Sequence, residues 1–314
     1  MNILKIPKKQ PSDYFWYFYR CIDYVKRNNL AQVEYFNSNI TERYVLKFYF
    51  NNNPAWVDLR DDNKLSPTYK NEIDATIFKS NYSSEMWDNP PSDFLYLNEA
   101  WEHELRKNIR PFVLGRAFKM SYSNDEFLKF SSKDKEPIYD IFSFSGAGIT
   151  NETTLMRLKI YELFNSISNK KLIFWLRKHG EEINEEVRKR VSQFECSNPI
   201  AGIENFYKQL NEAKYSINFP GICVSAPFRC VDAVLANRAI ISTKIWCDIY
   251  KTFPCIELPI CGYFGTGDWT KAKEILNQLH TYDYRDLTRR ARDWYLWYLS
   301  PEGMWKNQIL KQLC

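Results

Sequence analysis

YKQLNEAKYSINFPGICVSAPFRCVDAVLANRAIIS, residues 207–242, carries the punctuation of helix, strand, loop, helix and strand in one stretch. Residues 215–219 (YSINF) read as an apolar strand that stops at Pro220-Gly221. Pro227 suits an early helical position, where its missing N–H costs nothing and its φ is already set. The helix over 227–236 then runs into the apolar strand 239–242. Strands and helices alternating with short connections call for a parallel sheet covered on both faces. In such sheets ligands sit outside the carboxyl ends of the strands.

The same alternation extends outward. Residues 138–144 and 171–176 read as strands, and 151–167 and 203–213 as helices, with Leu155, Leu158 and Leu163 on the apolar side of the first. Beyond them 269–279, 284–299 and 303–313 read as helices, with Trp294, Trp297 and Trp305 at helical spacing as core. Upstream, the polar stretch 121–137 (with SNDE and SSKDKEP) reads as a linker. The first half is aromatic and irregular. Residues 14–25 (YFWYFYRCIDYV) fit a buried helix or a strand pair, and periodicity does not choose. Residues 44–50 form a strand closed by the turn Asn51-Asn52-Asn53-Pro54, 72–78 a second strand, 95–109 a helix and 111–114 a short extended piece. The expectation is therefore an α/β chain of two domains, 1–125 and 126–284, with 285–314 as terminal helices.

Bulk properties narrow the class. Of 314 residues 45% are hydrophobic and 26% charged, as in ordinary globular proteins. Aromatics reach 17%, which suits core and also stacking on sugar rings or bases. The net charge of +5 fits a binder of phosphates or a protein at an anionic membrane face. Nucleic acid is not an expected partner: 285–292 (RDLTRRAR) intersperses acids among its arginines and matches no recognised motif. No stretch approaches the roughly 20 apolar residues that span a bilayer. The start, 1–9, is short and basic with no apolar run behind it, so no signal peptide is expected. The eight cysteines show no CxxC spacing and the three histidines, His103, His179 and His280, are scattered, which argues against a zinc site. Reduced thiols and a cytoplasmic location follow as expectations.

Two segments are candidates for chemistry. In SFSGAG (143–148) a glycine turn after a strand would let the backbone of Gly146 and Gly148 approach a phosphate at the next helix's positive end. It lacks the third glycine of a dinucleotide fingerprint, and a plain β–α turn is the alternative. Arg229 and Asp232, three apart, share one helix face. Arg229 there suits a phosphate clamp and Asp232 a ribose contact; the alternative is a surface ion pair worth about 0–1 kcal/mol. Lys79 would reach a bound phosphate or be solvated, and Arg157 and Arg177, near the ends of two β–α units, would neutralise phosphate or lie on the surface.

These segments resemble the donor-binding half of GT-B glycosyltransferases, particularly exostosin-like and fucosyltransferase-like inverting enzymes. The shared features are a strand, a loop with Pro, Gly and Ser (Gly221, Ser225), an Arg followed three residues later by an acid (Arg229, Asp232), then Ala233 and the strand residues Ile240-Ile241. This chain departs in having Asn237 where glycine is common, and Asp instead of Glu at 232. Residues 140–146 with Arg157 look like the opening unit of the same domain. Residues 74–82 and 109–116 are similar to the end of the acceptor domain, and 289–310 to terminal helices that brace the N-terminal domain. The resemblance covers 139–314, with patches before it. It implies two Rossmann-like domains facing across a cleft and an inverting, metal-independent transfer of sugar from a nucleotide-sugar donor to a glycan or lipid-linked hydroxyl, with no cofactor. Such a transferase needs a general base. Asp58 is the first candidate, with Glu99 and Asp74 competing; a turn carboxylate is the alternative for each. A non-catalytic binder of carbohydrate or nucleotide on the same fold is the second functional class. A peripheral membrane contact through 285–292 is compatible with a lipid-linked acceptor.

Overall fold

Five strands in the second half make one all-parallel sheet: β7 (Tyr139–Gly146), β8 (Lys170–Trp175), β9 (Ala213–Asn218), β10 (Ala239–Thr243) and β11 (Ile256–Leu258). A computed structural model describes residues 1–60, 63–89, 99–113, 136–146, 151–167, 169–175, 184–194, 203–219, 229–261 and 266–314. The spatial order is β11-β10-β9-β7-β8. Chain order therefore reverses between β7 and β9, which makes their carboxyl ends the topological switch point of a doubly wound sheet. Every residue of β10 is buried, as a central parallel strand with both faces covered requires.

All the helices of this half but the one at Glu185–Val191, a stretch the periodicity leaves unassigned, fall where periodicity places them. In this half they are α4 (Asn151–Leu163), α5 (Glu185–Val191), α6 (Ile203–Leu210), α7 (Arg229–Leu235), α8 (Trp269–Asn277) and α9 (Tyr284–Tyr298). One face of the sheet packs Ile141, Ile217, Phe219 and Ile241 with Leu158 and Tyr161 of α4; the other packs Phe142 with Tyr207 of α6. Asn237, the departure at a position where glycine is common, adopts φ 57° just past α7. The Arg238 N–H then reaches the Ala233 carbonyl at 2.8 Å, a left-handed helix stop that asparagine tolerates.

The first half builds a six-stranded sheet in the order β2-β1-β3-β4-β5-β6. Its strands are β1 (Ile3–Pro7), β2 (Gln32–Phe36), β3 (Val45–Phe50), β4 (Asn53–Asp58), β5 (Thr76–Lys79) and β6 (Ile109–Pro111). It is mixed: β1 runs parallel to β2, β3 is antiparallel to both neighbours, and β4, β5 and β6 are parallel. The ambiguous aromatic run resolves as helix α1 (Trp16–Arg27), whose Phe18, Cys21, Ile22 and Val25 are buried. The expected four-residue turn after β3 is a two-residue hairpin: Asn51 and Asn52 hold φ 49° and 68°, and Asn53 already belongs to β4. Two short helices follow β5, α2 (Ser84–Asp88) and α3 (Ala100–Leu105).

A large core cluster joins the halves. It contains Phe18, Phe48 and Phe78 of the first, Cys230, Val234 and Ile240 of the second, and Trp294 and Trp305 of the terminal helices. Trp305, in the helical stretch 301–313, lies 6.1 Å from the Phe50 ring, and the Gln308 side chain bonds both the N–H and the C=O of Val113. The third tryptophan departs from expectation: Trp297 is 55% exposed. The buried stripe of α9 runs through Leu287, Ala291, Trp294 and Tyr295, one step around the helix from Trp297.

Candidate functional site

The chain leaving β5 meets the chain leaving β10. The Asp248 N–H donates to the Tyr82 carbonyl at 2.8 Å, the Asp248 carboxylate accepts from the Ser84 N–H at 3.1 Å, and Lys244 pairs with Glu85 at 2.7 Å. The carboxyl ends of parallel strands from both sheets therefore look toward the same region, with Asn81 (φ 57°) turning the chain between them.

On the first-sheet side, Asp58 and Lys79 are the last residues of β4 and β5 and sit side by side in register. Lys79 Nζ donates to Asp58 Oδ1 at 3.3 Å and to the Arg60 carbonyl at 2.9 Å. The same carboxylate accepts from the Arg60 N–H and Nε at 3.0 and 3.4 Å, the Ser66 N–H at 3.2 Å and the Tyr69 hydroxyl at 2.6 Å. Burial works to raise the Asp58 carboxyl, but Lys79, Arg60 and the Tyr69 hydroxyl outweigh it and hold it below the ordinary carboxylate range. Burial, with Asp58 beside it, pushes the Tyr69 phenol well above its usual value.

This arrangement corrects two expectations. Asp58 and Lys79 are both fully buried, at 0% exposure. The carboxylate has no open face from which to take a proton, and its lowered pKa makes it a weak base. The ammonium is spent on Asp58 and a carbonyl and is not presented to a phosphate. Of the competing carboxylates, Asp74 is exposed before the amino end of β5, the far end of that strand from Lys79. Glu99 is exposed at the start of α3, where its carboxylate accepts from Trp101 Nε1 at 2.6 Å. One turn on, Glu102 accepts from the Leu65 N–H in the loop that follows β4, which holds this helix start at the carboxyl side of the sheet.

On the second-sheet side, three adjacent strands end in polar side chains: Ser145 on β7, Asn218 on β9, and Ser242 with Thr243 on β10. All are at most 2% exposed. Asn218 Nδ2 donates to Ser242 Oγ at 2.8 Å, and that hydroxyl donates to the Thr243 carbonyl at 2.8 Å. Among the described residues Ser145 Oγ, Asn218 Oδ1, Thr243 Oγ1 and the Trp246 indole N–H have no hydrogen-bond partner. Buried polar atoms left unmatched are uncommon and costly, so a row of them at the switch point calls for a ligand or ordered water. The Arg157 guanidinium donates to the Gly146 carbonyl at 2.8 Å and ties α4 to the end of β7. Asp232 departs from its expected ribose contact: it is 5% exposed and accepts from the Tyr207 hydroxyl at 2.8 Å, facing α6. Arg229 opens α7. Gly148, Arg177, Gly221 and Ser225 lie outside the described residues. Among those described, no three of His, Cys, Asp and Glu come together as a metal's ligand set would, and no helix is long and apolar enough to cross a membrane.

The polar strand ends escaped the sequence because Ser145, Asn218 and Thr243 lie on separate segments, and only sheet order sets their strands side by side, with Asn218 on one face by register and Ser145 and Thr243 on the other. A signal existed for each alone, a polar residue closing an otherwise apolar strand.

No family model matches the chain, and no curated protein matches it. Solved structures that resemble it include a glycosyltransferase from Rickettsia africae at 10% identity, covering 95% of this chain and 81% of that one, with a TM-score of 0.45. TarM from S. aureus, in a complex that includes UDP, aligns at 12% identity over 77% of this chain, with a TM-score of 0.44. The C-terminal domain of a glycosyl transferase group 1 family protein from Francisella tularensis aligns at 11% over 60% of this chain and 95% of its own length, with a TM-score of 0.33. The chain spans about half, 51%, of TarM. Likeness at this level carries no argument, and the functional conclusion rests on the chain's own residues.

Proposed function

We propose that this protein transfers a hexosyl or deoxyhexosyl group from a nucleotide-sugar donor to a hydroxyl of a glycan or glycolipid, with inversion and without a metal. The observation that supports it most is the row of unpartnered polar atoms at the carboxyl ends of β7, β9 and β10, set at the switch point where doubly wound sheets take nucleotide ligands. In this proposal Asn218 and the Ser145 and Thr243 hydroxyls bond donor oxygens. Arg229 at the start of α7, with Gly221 and Ser225, holds the diphosphate, and the amides of Gly146 and Gly148 supplement it. Arg157 fixes the turn through the Gly146 carbonyl, and Arg177 adds positive charge after β8. Glu99, the exposed carboxylate on the carboxyl side of the first sheet, replaces Asp58 as the base. It takes the acceptor's proton while the acceptor oxygen bonds the anomeric carbon, and the bond to phosphate breaks with its electron pair leaving on the nucleoside diphosphate.

A thermal-shift screen against UDP-, GDP-, dTDP- and CMP-sugars tests donor binding, since a ligand of the native state raises the melting temperature. The stabilising donor should lose its shift in Asn218→Leu, and Arg229→Ala should lose turnover with its own melting temperature unchanged. Full transfer by Arg229→Ala removes the phosphate clamp from the proposal. The complete burial of Asp58 and Lys79 favours a second reading, a binding protein without catalysis. Release of nucleoside diphosphate only when acceptor is added distinguishes the two. Arg285, Arg289 and Arg290 are already paired with Glu136, Asp286 and Asp293, so membrane contact through this segment would show as weak, salt-sensitive sedimentation with anionic liposomes.

A further inference from the structure

At the opposite, amino end of the second sheet lies a pocket of about 370 Å³ that nothing in the transfer scheme uses. Its rim carries Asp140 at the start of β7 and Lys214 at the start of β9, paired at 2.8 Å. Its walls include Tyr215, Tyr282 and Tyr284, with His280 at the edge. The Tyr215 hydroxyl lies 3.4 and 3.3 Å from the carbonyls of Leu279 and Tyr282, which fastens the 279–282 wall to β9. The Asp283 side chain then accepts from the N–H groups of Arg285 and Asp286, so the next turn is pinned as well. The pocket is thus built before any ligand arrives. Tyr215 and Tyr284 stand edge to face, their ring centroids 6.2 Å apart.

We propose that this pocket docks one neutral saccharide unit. Asp140 and Lys214 cancel each other's charge, so neither a phosphate nor a metal cation finds the excess of opposite charge it needs. What remains is a ring-sized hollow lined by tyrosines for C–H surfaces and by a carboxylate, an ammonium and an imidazole for hydroxyl groups. A pyranose ring has that division, apolar faces and a hydrogen-bonding equator, and the volume lies within the range of small-molecule sites. Asp140 and Ser145 are five strand residues, about 16 Å, apart along β7. A sugar in this pocket is therefore a tether and not a reactant: it would hold a glycan chain near the protein and raise its effective concentration. The inference stands independently of glycosyl transfer, because binding here requires no donor.

Saturation-transfer NMR with methyl α-glucopyranoside, methyl β-galactopyranoside and methyl N-acetyl-β-glucosaminide tests it. At least one should receive saturation at its ring protons, and should still do so with UDP present in excess. The Tyr282→Ala/His280→Ala variant should weaken that ligand's affinity by about tenfold or more. Both positions are exposed, so an unchanged melting temperature is expected and verifies folding. Silence from all three glycosides, an unchanged affinity in the variant, or loss of the signal on adding UDP each overturns the proposal.

Discussion

Removing either end of the Asp58–Lys79 pair should cost the protein a sizeable fraction of its stability, and the two costs should be coupled. At 3.3 Å the charges attract by about 5 kcal/mol at an effective dielectric constant of 20. Desolvation cancels much of that in the intact protein, but a charge left buried without its partner typically costs about 3–5 kcal/mol. Lys79→Met lies at the lower end, about 3 kcal/mol, because Asp58 keeps the Arg60 N–H and Nε, the Ser66 N–H and the Tyr69 hydroxyl. Asp58→Asn lies nearer 5 kcal/mol, because Lys79 retains only the Arg60 carbonyl among these partners. The double variant leaves no buried charge at this site, so its loss should fall short of the sum by about 2 kcal/mol or more. Urea unfolding of the four proteins, with m-values compared, measures the cycle. Single variants within about 0.5 kcal/mol of the parent, or a strictly additive double, refute the pair as the pin of these strand ends. The activity of Lys79→Met, assayed well below its unfolding midpoint, should stay near that of the parent. A hundredfold loss in a folded variant would return Lys79 to the phosphates.

Three further outcomes follow from the packing. Trp305→Ala should lose about 3–5 kcal/mol, as buried tryptophan truncations do, whereas Trp297→Ala should stay within about 0.5 kcal/mol; paired urea curves read the contrast. Gln308→Leu strands the buried N–H and C=O of Val113 and should cost about 1–3 kcal/mol, with faster amide exchange at Val113 as the local sign. The folded pKa of Asp58 lies below its unfolded value of about 3.9. The stabilisation this group provides is therefore intact above about pH 4 and disappears as pH falls through the lower folded value. Urea midpoints between neutral and acid pH should accordingly fall more steeply for the parent than for Asp58→Asn.

Much of the second half was legible because its signals are local. The strand 215–219 ending at Pro220-Gly221 and the helix behind Pro227 correspond to β9 and α7, displaced by one or two residues. The first half was harder. β1 and β2 are short and polar-edged, and they pair in parallel across α1, a long-range choice that no local period encodes. Periodicity leaves the run 14–25 open because aromatics suit either element; in the structure it is helix, with Phe18 packed 5.4 Å from Phe48 on β3.

In the second half the sequence by itself determined where the chain alternates between strand and helix, and hence a parallel sheet covered on both faces, since turn chemistry and hydrophobic period act over a few residues. Only the tertiary structure decided which polar groups became neighbours. Asp58 and Lys79 are 21 positions apart, and Ser145, Asn218 and Thr243 come from three separate strands. Sheet register brought the first two together and strand order set the ends of the other three strands side by side, and both are settled by packing over the whole core.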